Sequence, residues 1–243
     1  PFETSNTLNR DLVKISNWAK TWKVKFGAEK LRTVIFTNKT PQVSPPIVLN
    51  SDSIKQVEMH KYLGILLTYN LDWSPQVHTV IMKANRKLAV LRRIFYLQRK
   101  TLEMLYKVTV RSVIDFALPV YYHSLKMSDK IKLEQVQYKE AKLATGALHG
   151  SSMIKLNSEL GLESIATRAD FLSLNVFHKI LVGNTRPLIK TCMPPLAHNH
   201  DHNIRQRNIF TSSHTASVKF KKFFFSYYVK KVPIPTKIMP SKS

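Results

Sequence analysis

The acidic residues are the first place to look for chemistry, because phosphoryl transfer on nucleic acids generally uses two carboxylates that hold paired divalent metal ions. The 243-residue sequence contains fifteen Asp and Glu residues, and no two of them are adjacent. Asp11, Asp115 and Asp170 fall in helical patterns where surface or capping roles suffice. The sequence also lacks a P-loop, a nucleophile elbow and an HExxH zinc motif. It therefore predicts no catalytic centre and no metal site.

The basic residues carry the strongest functional signal. The formal net charge is +23, and ten Lys or Arg residues stand against two acids between His60 and Arg111. A charge of this size disfavours compaction through self-repulsion, whereas contacts to phosphates release counterions and offset that repulsion. We expect a polyanionic partner, and we rank nucleic acid above an anionic membrane surface because aromatic residues accompany the charge.

One predicted helix separates apolar from basic side chains. After a turn at Ser74-Pro75, apolar residues recur at three- and four-residue spacing, which places them on one face of a helix. These residues are Val77, Ile81, Ala84, Leu88, Leu91 and Phe95. The basic residues Lys83, Arg86, Lys87 and Arg93 fall largely on the opposite face. This helix is therefore expected to bury one side and to offer the other to phosphates.

The remaining elements predict an α+β fold with a small antiparallel sheet, a preceding helix and a mainly helical bundle behind them. The N-terminal helix, capped by Ser5 or Asn6, repeats apolar residues from Leu8 to Trp22, and Trp18 and Trp22 are expected in the core. Strands are predicted at residues 31–37, 47–50, 54–57 and 62–68. The later helices are predicted at 101–125 with a bend near Pro119, at 128–148 with Ser128 as N-cap, at 153–160 and at 164–182.

Changes in composition divide the chain into three predicted regions, at residues 1–73, 74–186 and 187–243. The last region is a basic tail in which Lys219, Lys221, Lys222, Lys230 and Lys231 alternate with Phe and Tyr. Its rings could stack on bases, but packing onto the bundle is the slightly favoured interpretation. The histidines His198, His200 and His202 are interpreted as a solvated loop rather than a metal site. A single cysteine, Cys192, and the lack of a long apolar run predict an intracellular protein of the cytoplasm and nucleus.

Several segments in a fixed order resemble the C-terminal half of reverse transcriptases from jockey-like non-LTR retrotransposons. The resemblance covers roughly residues 8–187. It is carried by NRDLVKISNWAKTWKVKFGAEKLRTVIF, HKYLGILL, LDWSPQVHTVIMKANRKLAVLRR, LYKVTVRSVIDFALPVYY, LEQVQYKEAKLATGA and LGLESIATRADFLSLNVFHKI. The tail, with RQRNIF and VKKVPIPTKI, resembles the end of such elements more weakly.

The resemblance implies roles for particular residues. Lys30 would match the motif-D lysine near the phosphates of the incoming nucleotide. His60, Lys61, Tyr62, Leu63 and Gly64 would match the primer grip, where a glycine lets backbone approach the primer terminus. The helices behind it would form the thumb, with a phosphate path lined by Lys83, Arg86, Lys87, Arg93, Lys100, Lys107 and Arg111. The catalytic aspartates of the family would lie before Pro1.

The resemblance also implies a function. The chain would be part of an RNA-directed DNA polymerase; it would grip the primer-template duplex and would be inactive alone. The expected partner is an RNA/DNA or DNA duplex, with the element RNA added in the complete protein. A membrane and a small-molecule substrate are not expected. No cofactor is expected on this chain, and Mg²⁺ is expected only in the complete polymerase. The alternatives are a stand-alone nucleic-acid-binding helical module derived from such an element and a polybasic scaffold for acidic protein or membrane surfaces.

Overall fold

The computed structural model describes residues 2–37, 45–50, 52–148 and 150–183, together with Ile189. Most of the predicted loop at 41–46, the histidine tract and the basic aromatic tail therefore lie outside the described residues. The predicted α+β class is confirmed. The chain clusters into two compact units that divide between Gln76 and Val77, and each unit is described separately below.

The first unit consists of one long helix, a single 3-10 turn and two β-hairpins among its described residues. The elements are α1 (Phe2–Thr21), the 3-10 turn (Ala28–Lys30), β1 (Ile47–Leu49), β2 (Asp52–Ile54), β3 (Met59–Tyr62) and β4 (Ile65–Thr68). β1 pairs with β2 and β3 pairs with β4, both antiparallel, and the two pairs form separate sheets. Asn9 joins α1 to β1, because its side chain donates to Pro46 O at 3.2 Å and accepts from Val48 N at 3.1 Å.

Three expectations for the first unit are wrong. Trp18 and Trp22 are 53% and 67% exposed, because the buried side of α1 carries the small residues Ser5, Ser16 and Ala19 instead. Ser5 is accordingly inside the helix and does not cap it. The strand predicted at residues 31–37 is reduced to one parallel bridge between Thr33 and Gln56.

The second unit is helical throughout its described part. α2 (Ser74–Arg93) starts in the first unit and continues into the second. It is followed by α3 (Arg99–Leu105), a π-helical segment (Tyr106–Arg111), α4 (Ser112–Asp115), α5 (Leu118–Tyr121), α6 (Met127–Thr145), α7 (Met153–Glu159) and α8 (Ile165–Val182). The predicted limits of the last helix are confirmed: the Ser164 hydroxyl accepts from Thr167 N, and Gly183 ends the helix with φ of 86°.

The helix predicted at 101–125 is wrong in its continuity. It breaks at Phe116 and at Ala117, whose φ is 56°, and it restarts as α5. Pro119 lies in the first turn of α5, where its missing N–H leaves no helical acceptor unpaired. The predicted N-cap of the next helix is also wrong, because α6 starts at Met127 after Lys126 and Ser128 lies inside it.

The core of the second unit contains a buried polar bridge. Gln137 on α6 is fully buried and donates from Nε2 to Glu163 O at 2.8 Å, just before α8. The buried Tyr106 hydroxyl, at the start of the π-helical segment, lies 3.4 Å from Gln137 Oε1. Burial raises the pKa of this phenol above its usual range, so it stays a neutral donor. One amide side chain thus links three helical segments.

The polar bridge predicts a stability effect for Gln137→Leu. The variant should lower the free energy of unfolding by about 1–3 kcal/mol, because it leaves the Glu163 carbonyl and the buried Tyr106 hydroxyl without their partner. Gln135→Leu, on the exposed side of the same helix, makes the same chemical change and should have little effect. Chemical denaturation of both variants measures the difference, and equal stability of the two would contradict the role given to Gln137.

Candidate nucleic-acid interface

The predicted primer-grip residues form an exposed β-hairpin. β3 and β4 are joined by Leu63 and Gly64, with φ of 46° and 85°, and a two-residue turn with positive φ at both positions suits the twist of a hairpin. Tyr62 and Leu63 are 60% and 75% exposed, Lys61 is exposed, and His60 is half-buried. The five predicted residues thus lie in the last three positions of β3 and in the turn that follows it. Lys30, the predicted nucleotide-phosphate residue, is exposed in its 3-10 turn in the same unit.

A hydrogen-bonded turn connects this hairpin to the start of α2. Asp72 N donates to Asn70 Oδ1 at 3.0 Å, and Asp72 Oδ1 accepts from Ser74 N at 3.2 Å. The buried Gln76, in the first turn of α2, accepts from Leu66 N of β4 at 2.9 Å. Side chains of Asn and Asp that accept backbone N–H groups favour turns and helix starts. The first turn of α2 is therefore fixed to the hairpin by a hydrogen bond between a side chain and the backbone within the first unit.

α2 separates apolar and basic side chains as its spacing predicted. Its buried residues Val77, Ala84, Leu88 and Leu91 are at most 4% exposed. Phe95 was placed on the same face, and this expectation is wrong: the helix ends at Arg93 and Phe95 is 66% exposed.

Four exposed cations share the other side of α2, and we call them the basic face: Lys83, Arg86, Lys87 and Arg93. The spacings of three, four and seven residues between them bring their side chains together on the helix surface. None of the four forms an ion pair with an acid of the described residues. Their charge is therefore available to a ligand.

The three remaining cations of the predicted phosphate path are placed differently. Lys100 is exposed at the start of α3, but Lys107 is engaged in an ion pair with Glu103 one helical turn away. Arg111 is only 7% exposed and its Nη2 lies 3.8 Å from Glu163 Oε2. The structure thus groups Arg111 with the buried polar residues and apart from the basic face.

A buried carboxyl lies near the Lys107–Glu103 pair. Glu140 on α6 is 1% exposed. Burial, reinforced by the negative charge of Glu103 and opposed by Lys107, raises the pKa of Glu140 to about 8. Its carboxyl group is consequently neutral over much of the physiological pH range. It adds no negative charge that would compete with an anionic ligand.

An exposed aromatic pair follows α2, and the sequence reasoning missed it. Phe95 and Tyr96 are 66% and 73% exposed, and their ring centroids lie 6.4 Å apart at an interplanar angle of 73°. Two basic pairs flank them in the sequence, at residues 92–93 and 99–100. The basic pairs on both sides were the signal in the sequence for an exposed aromatic pair. The three- and four-residue spacing of apolar residues instead placed Phe95 in the predicted core.

The comparisons with known proteins confirm the resemblance to non-LTR retrotransposon reverse transcriptases that the motifs indicated. The chain is similar, over 55–58% of its length, to RNA-directed DNA polymerases of such elements. It is 30% identical over 145 residues to the RNA-directed DNA polymerase from mobile element jockey of Drosophila melanogaster. It is 27% identical over 139 residues to the probable RNA-directed DNA polymerase from transposon X-element of the same organism. No family model and no solved structure matches the chain.

The chain spans only 15–16% of the length of these curated relatives. In the part of the chain that the structure describes, no group of three or more His, Cys, Asp or Glu side chains could hold a metal ion. None of the described helices is both long enough and apolar enough to cross a membrane. The candidate functional features are Lys30 and the hairpin in the first unit and, considered separately, the basic face in the second unit.

The raised pKa of Glu140 predicts a pH-dependent effect of Glu140→Gln. An acid whose pKa is higher in the folded state stabilises the fold below its unfolded pKa, and this contribution is lost as the pH rises toward about 8. The variant, which cannot ionise, should therefore gain stability relative to the wild type between pH 5 and pH 8. We expect the gain at pH 8 to exceed the gain at pH 5 by more than about 1 kcal/mol.

Thermal or chemical unfolding of the two proteins at both pH values measures this difference. The pair at pH 5 serves as the control for any packing effect of the substitution itself. A gain that is the same at both pH values would show that Glu140 is not held neutral in the fold.

Proposed function

We propose that this chain is the primer-template-gripping part of a non-LTR retrotransposon reverse transcriptase. The basic face of α2 contacts the phosphates of the duplex, and the β3–β4 hairpin contacts the end of the primer. The observation that carries the proposal is the basic face itself, because four exposed cations on one helix side have no acidic partner among the described residues. The similarity to two RNA-directed DNA polymerases supports the choice of nucleic acid as the anion.

The hairpin tip has the chemistry that contact with a primer end requires. Lys61 supplies a cation, and Tyr62 supplies an exposed ring and hydroxyl. At Gly64, with φ of 85°, no Cβ stands between the turn and a ligand, so sugar and phosphate groups can approach the backbone closely. Such contacts fix position on a duplex without reading sequence. The hairpin therefore acts as a positioning element and not as a catalytic one.

On this proposal the bond-forming chemistry is done by residues outside this chain. RNA-directed DNA polymerases generally use Mg²⁺, which neutralises charge on the reacting phosphates. No group of three or more His, Cys, Asp or Glu side chains among the described residues could hold such an ion, and the proposal gives this chain no metal-binding role. We accordingly assign no catalytic step to this chain and propose that it holds the duplex for the rest of the polymerase, in the cytoplasm and nucleus.

Lys30 is the proposed contact to the incoming nucleotide. It is exposed, and its aliphatic stem passes Gly27, with Cδ 3.9 Å from the position that a Cβ would take there. An exposed ammonium on a flexible stem can follow a phosphate group.

A second candidate function is a stand-alone nucleic-acid-binding helical module. The helical unit that follows Gln76 favours it, because this unit has its own buried core and carries the whole basic face. A scaffold for acidic proteins or membranes would also use the basic face, but it would not distinguish a nucleic-acid duplex from other polyanions. Ligand preference therefore separates the scaffold from the two nucleic-acid-binding possibilities, and a contact of the β3–β4 hairpin with the primer end separates those two from each other.

The basic face predicts the salt dependence of duplex binding. In the variant Lys83→Ala/Arg86→Ala/Lys87→Ala, the log–log slope of affinity against salt should become shallower by about 0.9 for each phosphate that the protein no longer neutralises, hence by up to about 2.7. Fluorescence anisotropy with a labelled RNA/DNA duplex at several salt concentrations measures this slope. A slope that stays at the wild-type value would exclude the basic face as the phosphate-binding surface.

The matched control replaces three exposed lysines on other helices: Lys139→Ala/Lys155→Ala/Lys179→Ala. This triple change lowers the net charge by the same three units but leaves α2 intact. It should change the slope by less than about 0.9, the value expected for a single phosphate. Heparin as a competitor tests the scaffold alternative, which predicts equal affinity for heparin and duplex at the same charge.

The hairpin predicts a position on the primer. A photocrosslinking residue in place of the exposed Leu63 should crosslink to the last few nucleotides at the 3′ end of the primer, because the tip is proposed to contact that end. The same residue in place of Ser53, exposed in the β1–β2 hairpin, serves as the control and should give few crosslinks. Crosslinks spread evenly along the duplex from Leu63 would contradict a grip on the primer end while leaving duplex binding intact.

A further inference from the structure

The turn between α2 and α3 presents two aromatic rings to solvent on a fixed backbone. Ile94 and Leu97, on either side of the rings, are half-buried and hold the turn against the protein. Ile94 N donates to Leu91 O and Leu97 N donates to Ile94 O, both at 3.1 Å. Because the turn is fixed in this way, the rings of Phe95 and Tyr96 remain exposed to solvent.

An ion pair fixes the far side of the same turn. Arg99 Nη1 lies 2.7 Å from Glu159 Oε1, and Nη2 donates to Glu159 O at 2.8 Å. The start of α3 is thereby held to the end of α7. A guanidinium that donates to two acceptors restricts its segment more strongly than a single hydrogen bond would. The two rings therefore stand on a turn that is anchored at both ends.

Cations without acidic partners among the described residues flank the rings along the chain. Arg92, Arg93 and Lys100 are exposed, and none forms an ion pair with an acid of the described residues. An exposed apolar pair that existed to bind another protein's core would be expected among neutral neighbours, since interface centres are depleted in charge. Rings between free cations instead match a ligand that has flat apolar groups along a chain of negative charges.

We propose that Phe95 and Tyr96 form a stacking site for unpaired bases of single-stranded nucleic acid, with Arg92, Arg93 and Lys100 contacting the phosphates. Bases inside a duplex stack on one another and offer no free face, whereas unpaired bases stack on aromatic side chains whatever their sequence. The edge-to-face arrangement of the rings allows each to take a separate base. This inference rests on the proposed function for the source of the single strand, because the unpaired bases would belong to a strand that leaves the bound duplex.

The test compares the full chain with the variant Phe95→Leu/Tyr96→Leu, which removes both rings and keeps their positions apolar. Binding to a 20-nucleotide oligo-dT and to a blunt 20-base-pair duplex is measured by fluorescence anisotropy. Stacking on an aromatic side chain contributes about 1–3 kcal/mol per base. We therefore expect affinity for oligo-dT to fall about tenfold or more and affinity for the duplex to change less than about twofold.

The matched control is Phe116→Leu/Phe171→Leu, which removes two other exposed rings of the second unit, 54% and 51% exposed. It should leave both affinities unchanged. An equal loss for oligo-dT and duplex in the Phe95/Tyr96 variant would overturn the stacking site, since the rings would then support phosphate binding in general. Unchanged affinity for both ligands would overturn the stacking site as well, and would favour a protein as the partner of the rings.

The outcomes separate this inference from the proposed function. If the wild type binds the duplex with the predicted salt slope but oligo-dT binding does not depend on the rings, the stacking site fails and the duplex grip stands. If the chain binds oligo-dT through the rings but does not bind the duplex, the grip fails and the stacking site stands. Retained binding in Phe95→Trp/Tyr96→Trp would support stacking, because a larger ring still offers a face to a base.

Discussion

The arrangement of the helical unit depends on one buried amide side chain. Gln137 has no exposure, so both ends of its amide must find partners inside the protein. It satisfies them with the Glu163 carbonyl before α8 and the Tyr106 hydroxyl at the π-helical segment. A leucine of similar size could fill the space, but it could not distinguish the correct register of three helical segments from a shifted one. The polar bridge therefore specifies the packing as well as stabilising it.

The same core removes charge from the interior and leaves it on the surface. Glu140 is neutral because burial raises its pKa, and the buried Arg111 is matched by Glu163. By contrast, the basic face has no acid beside it among the described residues. An acid thus lies beside the buried Arg111, whereas no described acid forms an ion pair with the four cations of the basic face. This distribution concentrates the field on one side of α2.

Sequence alone predicted the elements that local rules determine. The spacing from Val77 to Leu91 predicted α2 because a helix must turn its apolar side inward, and Ser164 and Gly183 predicted the ends of α8. The failures have a common cause in tertiary packing. Trp18 and Trp22 look like core residues, yet α1 packs through Ser5, Ser16 and Ala19. For the site, the basic face followed from spacing, whereas the burial of Arg111 and the exposure of Phe95 depended on where helices end and which residues they meet.

The basic face has an energetic cost that its own helix must offset. Like charges three or four residues apart, as in Lys83, Arg86 and Lys87, destabilise a helix by about 0.2–0.5 kcal/mol per pair. On the other side of α2, burial of Val77, Leu88 and Leu91 contributes about 1.5–3 kcal/mol for each side chain. The apolar side therefore stabilises the helix by several times more than the repulsion costs. Stability alone would favour replacing some of these cations with glutamate, whereas the anionic ligand proposed above would relieve the repulsion when it binds.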